Sequence, residues 1–250
     1  MGMRQNGKVV LISGGASGIG FAVADKCMRE GARVAVIDKQ PIDLPGPQLL
    51  GFRGDVADEA FVKLTVARVH EIWGKVDGLV NNAGIMENQA IDEVTDDHWE
   101  RHLNVNVKGA MLMIKHVFPL MKAAGQGAIV NCSSIMAYTS APRSVAYTVS
   151  KTAILGLTRA VAMDGAPHRI RANTVCPGTV DTPLYRRYLE TLEDPAAAHA
   201  RFNDMYPLGR IGTPEDVANV CGFLLSDEAK WITGQSFIVD GGYSIKGTNE

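Results

Sequence analysis

The sequence predicts an α/β protein: a doubly wound parallel sheet of about seven strands with helices on both faces, folded as a single domain. Three observations predict it. Short, β-branched apolar runs alternate with helix-length amphipathic stretches along the whole chain. The first of those runs stops at a glycine cluster that opens a helix. The chain has 250 residues, 46% of them hydrophobic, enough to bury one sizeable core.

The elements follow in order. "KVVLIS" (8–13) is a short apolar run that ends at glycines and reads as a buried strand. "IGFAVADKCMREG" (19–31) places Ile19, Val23 and Cys27 at helical spacing and stops at Gly31, a suitable C-terminal cap. "ARVAVID" (32–38) is the second strand. Between Asp38 and Leu49 stand Pro41, Pro45 and Pro47, which predict an irregular link in place of a helix. Further strands are expected at 49–53, 77–80, 128–132, 170–175 and 236–239, and helices at 58–73, 96–123, 146–163 and 214–225. The stretch 184–207, long, charged and aromatic, has helical propensity and no strand pattern, and is expected to form a substrate lid.

Composition excludes several functions. With 25 basic against 27 acidic residues, a net charge of −2, nothing draws the chain electrostatically to nucleic acid or to an anionic membrane. A small-molecule substrate is the expected partner. Cys27, Cys132, Cys176 and Cys221 are widely spaced without a C-x-x-C pair, so they are expected to be reduced core residues. No apolar run approaches the ~18 residues of a membrane span. The N-terminus has no signal-peptide pattern, and Asn6 stands where a myristoylation signal needs Ser or Thr. A cytoplasmic protein is expected.

"SGGASGIG" (13–20) lies at the first strand-to-helix turn, where Gly14, Gly18 and Gly20 let the backbone approach a pyrophosphate and a helix N-terminus offers unpaired N–H groups. Asp38 closes the second strand 18 residues after Gly20, the placement of a carboxylate that accepts hydrogen bonds from the 2′ and 3′ hydroxyls of an adenine ribose. A 2′-phosphate would meet like charge there, although Lys39 softens the repulsion. The pairing predicts NAD in preference to NADP.

With the glycine loop, "GDV" (54–56), "NNAG" (81–84), "NVNVKG" (104–109), a Ser-Tyr-Lys set, "PGTVDT" (177–182) and "ITGQSFIVDGG" (232–242), the chain resembles the short-chain dehydrogenase/reductase family in its single-domain form, over essentially its whole length. The resemblance implies a Rossmann-type NAD(P)-binding domain spanning 1–250. Tyr147 and Lys151 in "YTVSK" are i and i+4 on one helical face. Tyrosine titrates near ~10, and an adjacent ammonium together with a positive nicotinamide ring brings it toward working pH, as a general acid/base requires. Ser134, 13 residues before Tyr147 and just after the "AIVNC" strand, is placed to hydrogen-bond the reacting oxygen. The resemblance assigns these roles to Ser134, Tyr147 and Lys151, and adds Asn106, holding a water beside the lysine; its 13-residue spacing selects Ser134 over Ser133. It also implies cofactor contacts from Ser17 and Ile19 at the phosphates, Asp55 and Val56 at the adenine, and Asn82, Ala83 and Gly84 along the ribose. Pro177, Gly178, Val180 and Thr182 would lie about the carboxamide, with Tyr147 and Lys151 themselves touching the cofactor. Two positions depart from the family pattern: Ser13 for a usual Thr, which keeps the hydroxyl, and Ala137 for a common Gly, which narrows the pocket.

The resemblance implies an NAD-dependent oxidoreductase that interconverts a secondary alcohol and a ketone, assembled as a homotetramer. For the substrate, Met86, Met136, Arg143, Tyr185 and Arg187 are the candidates, with Arg186 and Arg201 as solvated lid charges. Arg143, four residues before Tyr147, is suited to take a carboxylate bidentately. That favours a small hydroxy acid, sugar acid or polyol; the alternative is a cyclic or aliphatic secondary alcohol in a methionine-lined pocket. A catalytically silent NAD-binding sensor or scaffold is the alternative of another class, disfavoured because all four chemical positions are filled. "HWERH" (98–102) sets two histidines at i and i+4 but matches neither metalloprotease pattern, so an exposed helix face and no metal are expected.

Overall fold

Burial on both sheet faces explains the unbroken apolar strands. The computed structural model describes residues 3–43 and 46–246. Its sheet holds β1 (Val9–Ser13), β2 (Arg33–Asp38), β3 (Leu49–Arg53), β4 (Gly78–Asn81), β5 (Gly127–Cys132), β6 (Ile170–Pro177) and β7 (Ser236–Val239). The seven strands are parallel, in the order β3-β2-β1-β4-β5-β6-β7. Successive side chains of β1 divide between the two faces. Val10 and Ile12 join α1 (Gly18–Arg29) and α8 (Pro214–Leu225) in one core cluster. Val9 and Leu11 join α2 (Glu59–Trp73), α4 (Gly109–Ala124) and α5 (Val145–Gly165) in the other.

Local signals set the helix ends. The Asp58 carboxylate accepts the N–H groups of Ala60 and Phe61 at the start of α2, and Gly74 ends that helix at φ 74°. Thr213 and Asp216 form a reciprocal capping box with Pro214 in the first turn of α8. All four cysteines are free and buried, and burial pushes the Cys176 thiol up to about 12. The link after β2 contains no helix among its described residues; Pro45 lies outside them.

One segment differs from expectation in a way that bears on function. The predicted helix 96–123 is three pieces: α3 (Asp96–His102), a π-helical segment (Leu103–Lys108) and α4. The extra residue per turn accompanies the inward turn of Asn106, which is 3% exposed. The stretch 184–207 folds as α6 (Pro183–Glu190) and α7 (Pro195–Asp204), each opened by a capping side chain, Thr182 or Asp194, followed by proline. Tyr185, Tyr206 and Ile211 form a small separate core beneath them, packed against Leu189, Phe202 and Tyr243.

The strand order reverses between β1 and β4, so connections leave these neighbours toward opposite sides and open a crevice at their carboxyl ends. Ser13 stands opposite Asn81 at that edge, which brings the glycine loop against the segment after β4.

Candidate active site

The glycine loop is shaped by contacts that no side chain would survive. Gly14 and Gly18 have φ of 68° and 56°, the left-handed region. A Cβ on Gly20 would lie 2.1 Å from the Gly14 carbonyl oxygen, and one on Gly14 2.7 Å from Ala83 Cα. A Cβ on Gly18 would lie 3.1 Å from the Thr182 methyl carbon, so the loop after β6 also borders this cradle. Asn82 ties the walls together, donating from Nδ2 to the Gly14 carbonyl at 2.8 Å, while the Ser13 hydroxyl accepts the N–H groups of Asn82 and Ala83 at 3.2 and 3.3 Å. Ser17 begins α1 in extended backbone without a side-chain capping bond, and Ile19 follows in the first turn, so that helix end keeps donors for an anion.

At the end of β2 the half-buried Asp38 accepts the Ala16 N–H at 3.0 Å and the Gln40 N–H at 2.9 Å. Its carboxylate is thereby fixed beside the glycine loop. Lys39 turns away to Asp55, 2.9 Å distant. Burial pushes the Asp55 carboxyl up, but the Ala57 N–H and the Lys39 ammonium outweigh it and hold the group below the ordinary carboxylate value. Val56 is buried under Gly109. A glycine cradle, an open helix end and an anchored carboxylate fit a dinucleotide.

On the other side of the crevice, α5 presents Tyr147 and Lys151 one turn apart, with Nζ 5.6 Å from the ring centre. Lys151 is 5% exposed and donates to the Cys132 carbonyl at the end of β5, at 3.0 Å, which aims its charge at the tyrosine. Ser134 caps a 3-10 turn (Ile135–Ala137) and accepts the Met136 N–H at 3.2 Å, leaving its own hydrogen free to donate. The adjacent Ser133 donates at 2.7 Å to the Lys151 carbonyl inside the fold, so its hydroxyl hydrogen is already engaged. Asn106 accepts the Ile85 N–H at 2.8 Å, and its Nδ2 donates to the Ile85 carbonyl at 3.0 Å and to Ser150 Oγ at 2.9 Å. A Cβ on Gly84 would sit 3.3 Å from Asn106 Oδ1 and 3.4 Å from Lys151 Nζ, so these three residues converge. Asn106 spends its side chain on protein groups and positions Gly84 beside the lysine.

Several expectations need correction. Arg143 does not offer a free fork: its two terminal nitrogens bind the Glu93 carboxylate at 3.1 and 2.5 Å. Tyr185 is buried within the 184–207 stretch, its hydroxyl 3.0 Å from His199 Nδ1. Arg186 pairs with Asp181 in two bonds of 2.8 and 2.9 Å, whereas Arg187 and Arg201 are exposed. Met86 and Met136 are half-buried, at the loops after β4 and Ser134. "HWERH" is not an exposed face, since His98 and His102 are 2% and 0% exposed. His102 Nε2 accepts the Glu87 N–H at 3.1 Å, its Nδ1 pairs with the His98 carbonyl at 2.8 Å, and His98 Nε2 pairs with the Glu87 carbonyl at 3.2 Å. With Arg101 on the Glu87 carboxylate at 2.7 and 2.9 Å, α3 holds the loop that carries Met86. No group of three or more His, Cys, Asp or Glu suited to a metal occurs among the described residues.

Other contributors lay outside the sequence reading. Tyr206 Oη accepts the Thr179 N–H at 2.6 Å and packs under Gly178, fixing the loop after Pro177, while Val180 bridges to Gly212. Asn81, Asn131, Thr158 and Thr174 form a buried polar chain from β4 to β6 behind the lysine. Asn131 and Thr174 are polar residues inside otherwise apolar strands, Asn81 begins the "NNAG" stretch, and Thr158 lies on α5 with no signal of its own.

A family model described as enoyl-(acyl carrier protein) reductase matches residues 14–244. The 2-(S)-hydroxypropyl-CoM dehydrogenase 3 of Xanthobacter autotrophicus is 37% identical, over 97% of this chain and 98% of that one. The chain belongs to the short-chain dehydrogenase/reductase family. This short-chain dehydrogenase/reductase is therefore of a class that acts on CH–OH groups with a nicotinamide cofactor. An NADP-dependent (R)-specific alcohol dehydrogenase of Lentilactobacillus kefiri is 36% identical, over 97% of this chain and 99% of that one. The ligand-free aldohexose dehydrogenase of Thermoplasma acidophilum superposes with a TM-score of 0.95 at 33% identity, covering 100% of this chain and 99% of that structure. No helix among the described residues is long and apolar enough to cross a membrane.

Proposed function

We propose that the protein is an NAD-dependent dehydrogenase that interconverts a small, neutral, polar secondary alcohol, of the polyol or sugar class, and its ketone. The observation that carries this reading is the convergence of Tyr147, Lys151, Gly84 and Asn106 at the crevice, with Ser134 on the adjoining loop. When bound, the nicotinamide supplies the hydride acceptor or donor. Gly14, Gly18, Gly20, Ser17 and Ile19 hold the pyrophosphate. Asp38 takes the ribose hydroxyls, Asp55 and Val56 border the adenine, and Asn82, Ala83, Gly84, Pro177, Gly178, Val180 and Thr182 line the remainder.

Tyr147 Oη removes the alcohol proton in oxidation and returns it in reduction. Ser134 Oγ donates to the reacting oxygen and fixes its direction. The Lys151 ammonium, oriented by the Cys132 carbonyl, stabilises negative charge developing on the phenol oxygen. Asn106 keeps Gly84 and Ile85 in place beside the lysine. The 184–207 stretch acts as a lid, stiffened by the Tyr185–His199 contact, with Arg187 on its outer side.

Neutral polar substrates are favoured over acids because Glu93 satisfies Arg143, the one guanidinium on the loop into the catalytic helix. Likeness to the aldohexose dehydrogenase supports the polyol or sugar class. A cytoplasmic homotetramer completes the reading. It is tested by a panel of sugars, polyols, hydroxy acids and cyclic alcohols, each run with NAD and with NADP. Neutral polyols or sugars with NAD should give the highest kcat/KM, and Asp38→Asn should raise acceptance of NADP. Faster turnover of hydroxy acids, or a preference for NADP in the wild type, would overturn the substrate or the cofactor assignment respectively.

A further inference from the structure

The segment joining β4 to α3 is held in two different ways. Its first half is locked from within: Asn106 takes both backbone groups of Ile85, and His102 and His98 take both of Glu87. The second half is tied outward, to the loop that leads into α5. Gln89 forms a parallel bridge with Ser144, and the Glu93 carboxylate receives the Arg143 fork at 3.1 and 2.5 Å.

The receiving loop is conformationally costly. Arg143 has φ of 63°, a region that non-glycine residues adopt only where contacts impose it. The next residue, Ser144, is the N-cap of α5, and its carbonyl accepts the Thr148 N–H at 2.8 Å, so the turn at Arg143 fixes where the catalytic helix begins. Tyr147 follows within the first turn. Both members of the ion pair are 51% exposed, and exposed pairs add little to overall stability. A strained residue held by a weakly stabilising pair points to local geometry as its purpose.

We infer that Glu93 and Arg143 form a latch across the mouth of the substrate site, and that Arg143 is a positioning residue that sets the size of alcohol reaching Tyr147. The latch spans the two loops that flank the crevice, one carrying Met86 and the other delivering Tyr147. Opening it frees the outer half of the first loop while the buried histidines keep the inner half in register with Gly84. The inference rests on the proposed role of Tyr147, but the latch itself has a readout that needs no turnover.

Glu93→Gln removes the ionic fork, and Arg143→Gly removes it while letting the backbone keep its left-handed turn, so at least one variant retains the fold. Hydrogen exchange should rise in 88–95 and 138–145 together in either variant, and stay unchanged in the glycine loop. With NAD and secondary alcohols of increasing size, KM for the smallest should rise about two- to five-fold, the order expected of an exposed pair, with kcat nearly unchanged. Relative kcat/KM should move toward bulkier alcohols, and Glu93→Arg combined with Arg143→Glu should restore the wild-type order. Exchange that changes in one loop without the other would overturn the latch. A uniform change across all alcohol sizes would overturn its part in specificity, and absence of any turnover in the wild type would refute the proposed activity while leaving exchange to decide the latch.

Discussion

Replacing Asn106 by alanine should separate the π-helical segment from the loop it holds. The side chain is 3% exposed and makes three hydrogen bonds, of 2.8, 3.0 and 2.9 Å, to the Ile85 N–H, the Ile85 carbonyl and Ser150 Oγ. At about 1 kcal/mol for each buried partner left unpaired, the loss is ~3 kcal/mol. For a chain of this size 1 kcal/mol moves the midpoint of thermal unfolding by about 2–4 °C, so Tm should fall by roughly 6–12 °C. Ser150→Ala removes the third of these bonds and also the donor to the Tyr147 carbonyl at 2.7 Å, and should cost between a third and two thirds as much. Thermal and urea unfolding followed by tryptophan fluorescence measure both. An Asn106→Ala protein that melts within about 2 °C of the wild type would refute the view that this residue anchors Gly84 and Ile85.

Gly20→Ala sets a methyl group 2.1 Å from the Gly14 carbonyl oxygen, and such overpacking costs about 1–3 kcal/mol, so NAD binding followed by titration of protein fluorescence should weaken by about five- to 150-fold. Ser133→Ala should lower stability with little effect on turnover of folded enzyme, because its hydroxyl is bonded within the fold, whereas Ser134→Ala should lower kcat while costing only about 0.5–2 kcal/mol of stability, the loss of the cap on the Met136 N–H. Burial, foremost, holds the His102 imidazole below its ordinary value of 6.5, with the His98 carbonyl, His98, Glu87 and Arg101 as the other groups facing it. The unfolded chain then binds the proton more readily. His102 therefore keeps its full contribution above pH ~6.5 and loses it as pH falls through the lowered folded value, so wild-type unfolding should steepen with acid and His102→Gln should flatten that dependence.

The parts of the site set by local chain geometry were legible in the sequence. The glycine loop sits where an apolar strand ends and a helix begins, and both ends are marked by residue type. Tyr147 and Lys151 are brought together by one helical turn, which spacing alone supplies. What was hidden depends on partners distant in the chain. Arg143 looked free because Glu93 is 50 positions away in a segment without regular structure. His98 and His102 looked exposed because polar residues on a short helix ordinarily face water, yet the backbone of Glu87 folds over them and pairs with the Nε2 of each ring. The π-helical interruption was not legible, although Asn104, Val105, Asn106, Val107 and Gly109 are weak helix formers, because the inward turn of Asn106 answers Ile85 and Ser150 rather than its neighbours in sequence. Tyr206 likewise gave no signal, since its part is to hold the backbone of Thr179.

Tyr147→Phe tests the central claim most directly, because it deletes one oxygen and leaves the ring beside Lys151 in place. Steady-state NADH formation with the best neutral alcohol should fall by about 10²–10⁴-fold, the usual contribution of a general acid/base, while NAD affinity and Tm stay near the wild-type values. Turnover within a few-fold of the wild type would contradict the account.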